Sequence, residues 1–291
     1  MLLWPDCISC ILKMSLEVGR LAIKEEDQVK NFMSAVLKLK PLCGNNWQIT
    51  AGEVVRDVWY ILTEITGKKD PMKEIKADLN NRVLQIYPYA KELVLKSPDP
   101  FITALKLSIA ANALDIMVGI GNNAAEQIII KLEEFVINIE NVETLKERLN
   151  NARRLVYFTD NCGEIVFDRL LLEVIRRIYD LDITIVTRTL PVLNDATLQD
   201  ALFAGLGEIA EVVENGIDEP LAGTILAKVS PPVRALVEKA DLLISKGGAN
   251  YDCLTEEPTV EGKITYLFHG KCYPYCFENN VPMGTLIVRN S

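Results

Sequence analysis

The chain of 291 residues has a single histidine and no long apolar run. Its longest stretch free of Asp, Glu, Lys and Arg is Pro41–Gly52, twelve residues that include Asn45, Asn46 and Gln48. A helix crossing a bilayer needs about 20 mostly apolar residues, so no span is expected. The opening Met1-Leu2-Leu3-Trp4-Pro5-Asp6 has neither the basic start nor the apolar stretch of a secretory signal. The expected location is therefore cytoplasmic. Positive charge is also in short supply: 31 Lys+Arg stand against 40 Asp+Glu, a formal net charge of −9. Phosphate backbones and anionic membranes are held through basic surface, so neither nucleic acid nor membrane is an expected partner. A small phosphorylated ligand stays open, because it needs only a local cation or a metal ion.

What is present is ordinary for a globular protein: 49% hydrophobic and 24% charged residues. The length suggests about two domains. No internal repeat or low-complexity tract appears, but the hydrophobic period changes partway. From Cys7 to about Asn151 it is helical. Thr50-x-x-Glu53 reads as a capping box, and Asp99-Pro100 as an N-cap and first-turn proline for a helix to about Val118. Amphipathic helices are expected over Ala124–Val136 and Val142–Asn150. After Arg153, short apolar runs alternate with helical stretches. Strands are expected at Leu155–Thr159, Ile183–Thr187, Ala210–Val213, Leu242–Ser245, Thr265–Phe268 and Thr285–Val288. Helices fit Glu164–Ile178, Ala196–Leu206, Leu221–Ala227 and Pro232–Lys239. That alternation implies a mostly parallel sheet covered on both faces. The expected fold is α/β: an all-helical domain over 1–151, then a Rossmann-like three-layer α/β/α domain over 152–291.

Ligands of open α/β sheets bind beyond the carboxyl ends of the strands, so the residues that follow each strand carry the weight. Asp160-Asn161-Cys162-Gly163-Glu164 follows the first, and Arg188 then Asn194-Asp195 the second. Lys246-Gly247-Gly248-Ala249-Asn250-Tyr251-Asp252 follows the fourth, and His269-Gly270-Lys271 the fifth. Asp160, Asn161 and Asp195 form a hard oxygen set suited to Mg²⁺ or Mn²⁺. Alternatively, Asp160 caps the following helix. Lys246 with its glycines resembles a phosphate-binding turn but lacks the Walker A order. Val118-Gly119-Ile120-Gly121 follows a helix and reads as a helix end.

The seven cysteines are odd in number and unevenly spread. Cys7-x-x-Cys10 near one end, with Cys272 and Cys276 near the other, could hold a structural Zn²⁺ or form a redox site. They could equally be buried thiols. His269 fits a structural side chain, a metal ligand or a general base.

Four stretches together resemble the damage-control phosphatase family, in particular its short stand-alone prokaryotic branch. They are Asp160-Asn161-x-Gly163-Glu164-x-x-x-Asp168, Arg188-x-x-Pro191-x-x-Asn194-Asp195-x-Thr197, Lys246-Gly247-x-Ala249-Asn250-Tyr251, and Ala111-Asn112-x-x-Asp115. The C-x-x-C and Lys271-Cys272 carry the likeness to that branch. Ala249 and Asp252 depart from the family's usual Gly and Glu. The resemblance implies one divalent metal ion (Mn, Mg, Co or Ni) on Asp160, Asn161 and Asp195. It also implies hydrolysis of phosphate monoesters of small, often sugar-like, metabolites, and a helical domain beside an α/β domain.

On this reading Lys246 contacts the phosphoryl oxygens, while Asn250 and the Gly247 backbone set its orientation. Glu164 or Asp160 orients or deprotonates the attacking water, or Asp160 itself attacks phosphorus. Arg188 binds substrate or pairs with Asp195. Asn112 and Asp115 close the site, or belong to an interdomain hydrogen-bond network. Two other functions fit parts of the pattern: an S-adenosylmethionine-dependent carboxyl methyltransferase, and a non-catalytic binder of phosphometabolites or metal. Oligomeric state does not follow from the composition.

Overall fold

The computed structural model describes residues 1–114 and 124–291. The first half of the chain is helical: α1 Pro5–Ala22, α2 Glu26–Val36, α3 Ala51–Thr66, α4 Lys73–Lys96, α5 Pro100–Ala110, α6 Ala124–Ile130 and α7 Ile139–Asn151. Local chemistry sets several of these starts. At α3 the Thr50 hydroxyl accepts the Glu53 N–H, and the Glu53 carboxylate accepts the Thr50 N–H, closing the capping box. At α5 the Asp99 carboxylate accepts the Ile102 N–H, with Pro100 in the first turn. The helix expected there to Val118 stops at Ala110 and tightens into a 3₁₀ turn over Ala111–Ala113. Beyond Leu114 the expectation, with the Val118–Gly121 segment, lies outside the described residues.

The second half alternates strands and helices: β1 Arg154–Phe158, α8 Glu164–Ile178, β2 Asp182–Thr187, α9 Leu198–Phe203, β3 Glu211–Glu214, α10 Pro231–Lys239, β4 Leu242–Lys246, α11 Gly248–Leu254, β5 Ile264–His269, α12 Tyr273–Asn279 and β6 Leu286–Asn290. The helix expected at Leu221–Ala227 is only a 3₁₀ turn at Leu226–Lys228. Gly223 interrupts that run with φ +96°, in the left-handed region a helix cannot use.

The six strands form one sheet in the order β3-β2-β1-β4-β5-β6, parallel except for the antiparallel β5–β6 pair. Strand alternation sends Leu155 and Tyr157 to one face, where α5 and α8 cover them, and Val156 and Phe158 to the other, under α10 and α11. Helices α4 and α5 pack directly on α8. The apolar cluster of α4–α7 is thus continuous with one face of the sheet, across positions 151 and 152. Helices α1–α3 form a cluster of their own, which meets the sheet side through Val192, Leu193 and Ala222.

Candidate active site

The strand order reverses direction between β1 and β4, where the loops leave the sheet on opposite sides and open a crevice. The loop after β1 turns tightly at Gly163, whose φ is +81° and whose N–H donates to Asn80 Oδ1 at 2.6 Å. Gly163 is also the N-cap of α8, which has no side-chain cap. Asp160 therefore does not cap the helix, and its carboxylate belongs to the rim. Backbone pairing joins this loop to the one after β2. The Ala196 N–H donates to the Asp160 carbonyl at 2.7 Å, the Cys162 N–H donates to the Asn194 carbonyl at 2.8 Å, and Asn161 bridges Asp195. In this way Asp160, Asn161 and Asp195 come to line one cavity of about 320 Å³. Helix α1 contributes Cys7, Cys10 and Ile11 to its wall, and α3 contributes Gly52 and Val55. Asp252 of α11, with Lys271, Cys272 and Tyr275, completes the far side.

Buried side chains hold the carboxylates in place. Asp160 Oδ2 accepts from Asn112 Nδ2 at 2.9 Å and Asn161 Nδ2 at 2.8 Å; Glu164 Oε2 accepts from the same two amides at 2.9 and 3.1 Å. Arg188 donates through Nε to Asp195 Oδ2 at 2.7 Å and through Nη1 to Thr224 Oγ1 and Asn250 Oδ1, both at 3.0 Å; its Nη2 lies 3.5 Å from Asp160 Oδ1. Burial, and then the like charges of Glu164 and Asp195, push the Asp160 carboxyl well above the usual carboxylate range, against the opposing pull of Arg188 and Lys271.

The donor chemistry fits a hard divalent cation. On the paired loops after β1 and β2, the Asp160 and Asp195 carboxylates stand with Asn161, whose amide hydrogens serve Asp160 and Glu164, so its carbonyl oxygen is the atom left for a ligand. Among the described residues no three His, Cys, Asp or Glu side chains are grouped to hold a metal ion; the set here is two acids and an amide.

Lys246 differs from the sequence expectation. It alternates with Leu242 and Ile244 along β4, so its side chain enters the α5–α8 face rather than the cavity. There it is fully buried, 2.5 Å from Asp168 Oδ1 and 2.7 Å from Glu164 Oε1, and it donates to the Ser108 hydroxyl at 2.9 Å and carbonyl at 3.0 Å. Burial pulls the Lys246 pKa down, but Asp168 and Glu164 outweigh it and hold the lysine above its usual value. Burial, eased by Lys246, raises Asp168 to about 6. Glu164 is fully buried beside Lys246, so it braces the cavity floor from beneath.

Gly247 lies against the same floor: a Cβ there would come within 1.9 Å of Asp160 Oδ2, and its φ is +80°. The Asn250 amide donates to the Thr159 and Lys246 carbonyls at 3.0 and 2.8 Å, so it ties loops together beneath the cavity. Arg188 likewise serves the two acids. Asn112 reaches the site through Asp160 and Glu164, while Asp115 lies outside the described residues.

The four cysteines of the zinc expectation do not come together. Cys7, Cys10 and Cys272 line the cavity, but Cys276 points to the Gly270 and Pro282 carbonyls and Met283. Burial raises Cys7 to about 11 and Cys272 to about 12, the reverse of the lowered pKa of reactive thiols. His269 is half-buried, with its Nε2 3.3 Å from the Gly284 carbonyl, and burial lowers its pKa. Reading single loops missed the cavity wall of α1 and α3, together with Tyr275, although Asp252 already stood in the stretch after β4. The position of C-x-x-C on an amphipathic helix was the one available signal.

Residues 3–287 match the model of the "Damage-control phosphatase ARMT1-like domain". A protein of Archaeoglobus fulgidus named damage-control phosphatase is 33% identical over 98% of this chain and 98% of its own length. One of the same name from Pyrococcus horikoshii is 28% identical, covering 97% of this chain and 96% of its own. A crystal structure of a DUF89 family protein from Pyrococcus horikoshii superposes with a TM-score of 0.86 at 27% identity, covering 100% of both chains.

Proposed function

The chain belongs to the damage-control phosphatase ARMT1-like family, and we propose that it hydrolyses phosphate monoesters of small, sugar-like or damaged, metabolites with the help of one divalent metal ion. The observation that carries this reading is the meeting of Asp160, Asn161 and Asp195 in one cavity at the sheet's reversal point. These three residues would hold the ion. Bound there, a Mn²⁺, Mg²⁺, Co²⁺ or Ni²⁺ ion supplies charge that polarises a phosphoryl oxygen.

The chain's own residues do the rest by positioning. Arg188 locks Asp195 in one orientation and faces Asp160, so the two acids keep their places without rearranging when substrate enters. Asn112 and Asn161 donate to Asp160, fixing which lone pairs it presents. Glu164 accepts from the same amides and pairs with Lys246, which joins the floor to Asp168 and Ser108 of the layer beneath. A preorganised array of this kind spends no reorganisation energy during reaction. The mostly apolar α1 and α3 wall limits water at the site.

Turnover of an aryl phosphate by metal-depleted and reloaded protein tests the reading. Chelation should abolish activity, and Mn²⁺, Co²⁺ or Ni²⁺ should restore it. Activity that survives both chelation and Asp195→Ala would overturn the reading. Metal-dependent phosphate binding with no turnover on any phosphomonoester would mark a non-catalytic binder instead.

A further inference from the structure

The helical half of the chain reaches the proposed ligand loops through two buried polar side chains of α4, Lys76 and Asn80, which stand one turn apart on one face of the helix. We propose, on the basis of the phosphatase reading, that these two are positioning residues: α4 clamps the loops after β1 and β2 at the spacing that lets Asp160, Asn161 and Asp195 share one ion. Asn80 holds the first loop. Its Oδ1 accepts the Gly163 N–H at 2.6 Å, just beyond Asn161, and the same turn rests against Leu79 and Val83 of α4. Lys76 holds the second. Its Nζ lies 2.8 Å from Asp200 Oδ2, and that oxygen accepts the Thr197 N–H at 2.9 Å and the Thr197 hydroxyl at 2.6 Å, just beyond Asp195. The same ammonium lies 3.1 Å from Asp70 Oδ2, whose other oxygen accepts the Met72 N–H at the start of α4.

These two ties serve placement more than cohesion. Apolar side chains would bury as well on this face, where Leu79 and Val83 already do, and a buried ion pair adds little net stability over them. Asn80 leaves its Nδ2 without a partner among the described residues, which itself lowers stability. What the two polar groups supply is direction, because each fixes one point on its loop. The loops are in turn joined by the Ala196 N–H to the Asp160 carbonyl and the Cys162 N–H to the Asn194 carbonyl. Helix α4 and the two loops therefore form a closed frame. Within it Arg188 orients the Asp195 carboxylate, while α4 sets where the loop that carries it stands. Groups that orient metal ligands from behind change affinity or activity by about 10- to 100-fold when they are removed.

The test compares wild type, Asn80→Leu, Asn80→Asp, Lys76→Met and a control on the same helix, Val94→Ala, whose buried side chain stands about 20 Å further along. Three readouts are taken: calorimetric Mn²⁺ affinity, KM and kcat on an aryl phosphate at saturating Mn²⁺, and the melting temperature of metal-depleted protein. Asn80→Leu and Lys76→Met should weaken Mn²⁺ binding by about 10- to 100-fold, and kcat should fall by more than KM rises. Asn80→Asp keeps the accepting oxygen and should recover most of the affinity. Val94→Ala should lower the melting temperature and leave Mn²⁺ affinity unchanged. Should Asn80→Leu or Lys76→Met fail to fold, Asn80→Ser, too short to reach the Gly163 N–H, and Asp200→Asn, which keeps an acceptor for Thr197 but removes the charge that Lys76 meets, should show the same loss in milder form. Wild-type Mn²⁺ affinity and kcat in either loop-releasing variant would overturn the clamp and leave the phosphatase reading intact. A wild type without turnover whose Mn²⁺ affinity still depends on Asn80 and Lys76 would do the opposite. A wild type that binds no Mn²⁺ would overturn both.

Discussion

Lys246 shows how one residue's depth decides its role. Beside Gly247-Gly248 it looks like part of a phosphate turn, yet strand alternation with Leu242 and Ile244 was already present in the sequence and directs it inward. The glycine signal masked the period-2 signal because β4 is only five residues long. Removing one partner of a buried ion pair leaves the other uncompensated, at about 3–5 kcal/mol. Lys246→Met should therefore lower stability by about that amount in denaturant unfolding, through the stranded Glu164 and Asp168. Gly247→Ala acts on geometry instead. A Cβ within 1.9 Å of Asp160 Oδ2, on a residue at φ +80°, must push the carboxylate aside. We expect kcat to fall at least about 100-fold, as for a displaced reacting group, with secondary structure unchanged by circular dichroism.

Asp252 gives a prediction in pH. Burial raises it to about 7, against the N-terminal ammonium, the Tyr275 hydroxyl and Lys271. Its folded pKa exceeds the ordinary 3.8, so between those values the folded state holds a proton that the unfolded state has released. The contribution of this group to stability is then fully present at low pH and is lost as pH rises through about 7. Asp252→Asn should differ little from wild type in melting temperature near pH 4 and exceed it most at pH 8. An equal gap at both values would contradict the assignment.

At the scale of elements, the strands and the helices with clear caps were readable. Helix α8 occupies the expected Glu164–Ile178, and α3 opens at the Thr50 box. The missed helices had weak or conflicting signals. Helix α4 contains Pro88 and a diluted apolar face, and α11 begins at a glycine immediately after β4. The antiparallel β6 could not be distinguished from a parallel strand by its residues, because direction is set by the connection rather than by the apolar pattern. Helix α3 supplies Gly52 and Val55 to the cavity, and Gly52 packs so closely on the Ala222 carbonyl that a Cβ would approach within 2.1 Å. Loss of its cap should thus be felt as stability first: Thr50→Ala should cost about 1 kcal/mol, measured by urea unfolding.

For the whole molecule, the strand order explains why residues from the segments after β1 to β5 and from α1 and α3 share one cavity. The first and last parts of the chain meet there, since α1 faces Lys271, Cys272 and Tyr275 across it. The cysteine grouping read from the sequence brought the two ends together, but as a metal or redox site rather than as the wall of a cavity. The acid excess gains a partial location in the Asp160–Glu164–Asp195 group, where three carboxylates sit near Arg188 and Lys246. A cation bound to the folded state alone stabilises it by mass action, by about 2.7 kcal/mol at 100 times its dissociation constant. Mn²⁺ should accordingly raise the melting temperature of wild type and leave that of Asp195→Ala nearly unmoved.

The most direct measurement is metal content alongside turnover on the same samples. Equilibrium dialysis against Mn²⁺ should find one ion per chain in wild type and none held by Asp160→Ala or Asp195→Ala, with aryl phosphate hydrolysis rising and falling with that ion. Full hydrolysis by protein that holds no ion, or by Asp195→Ala, would contradict the account.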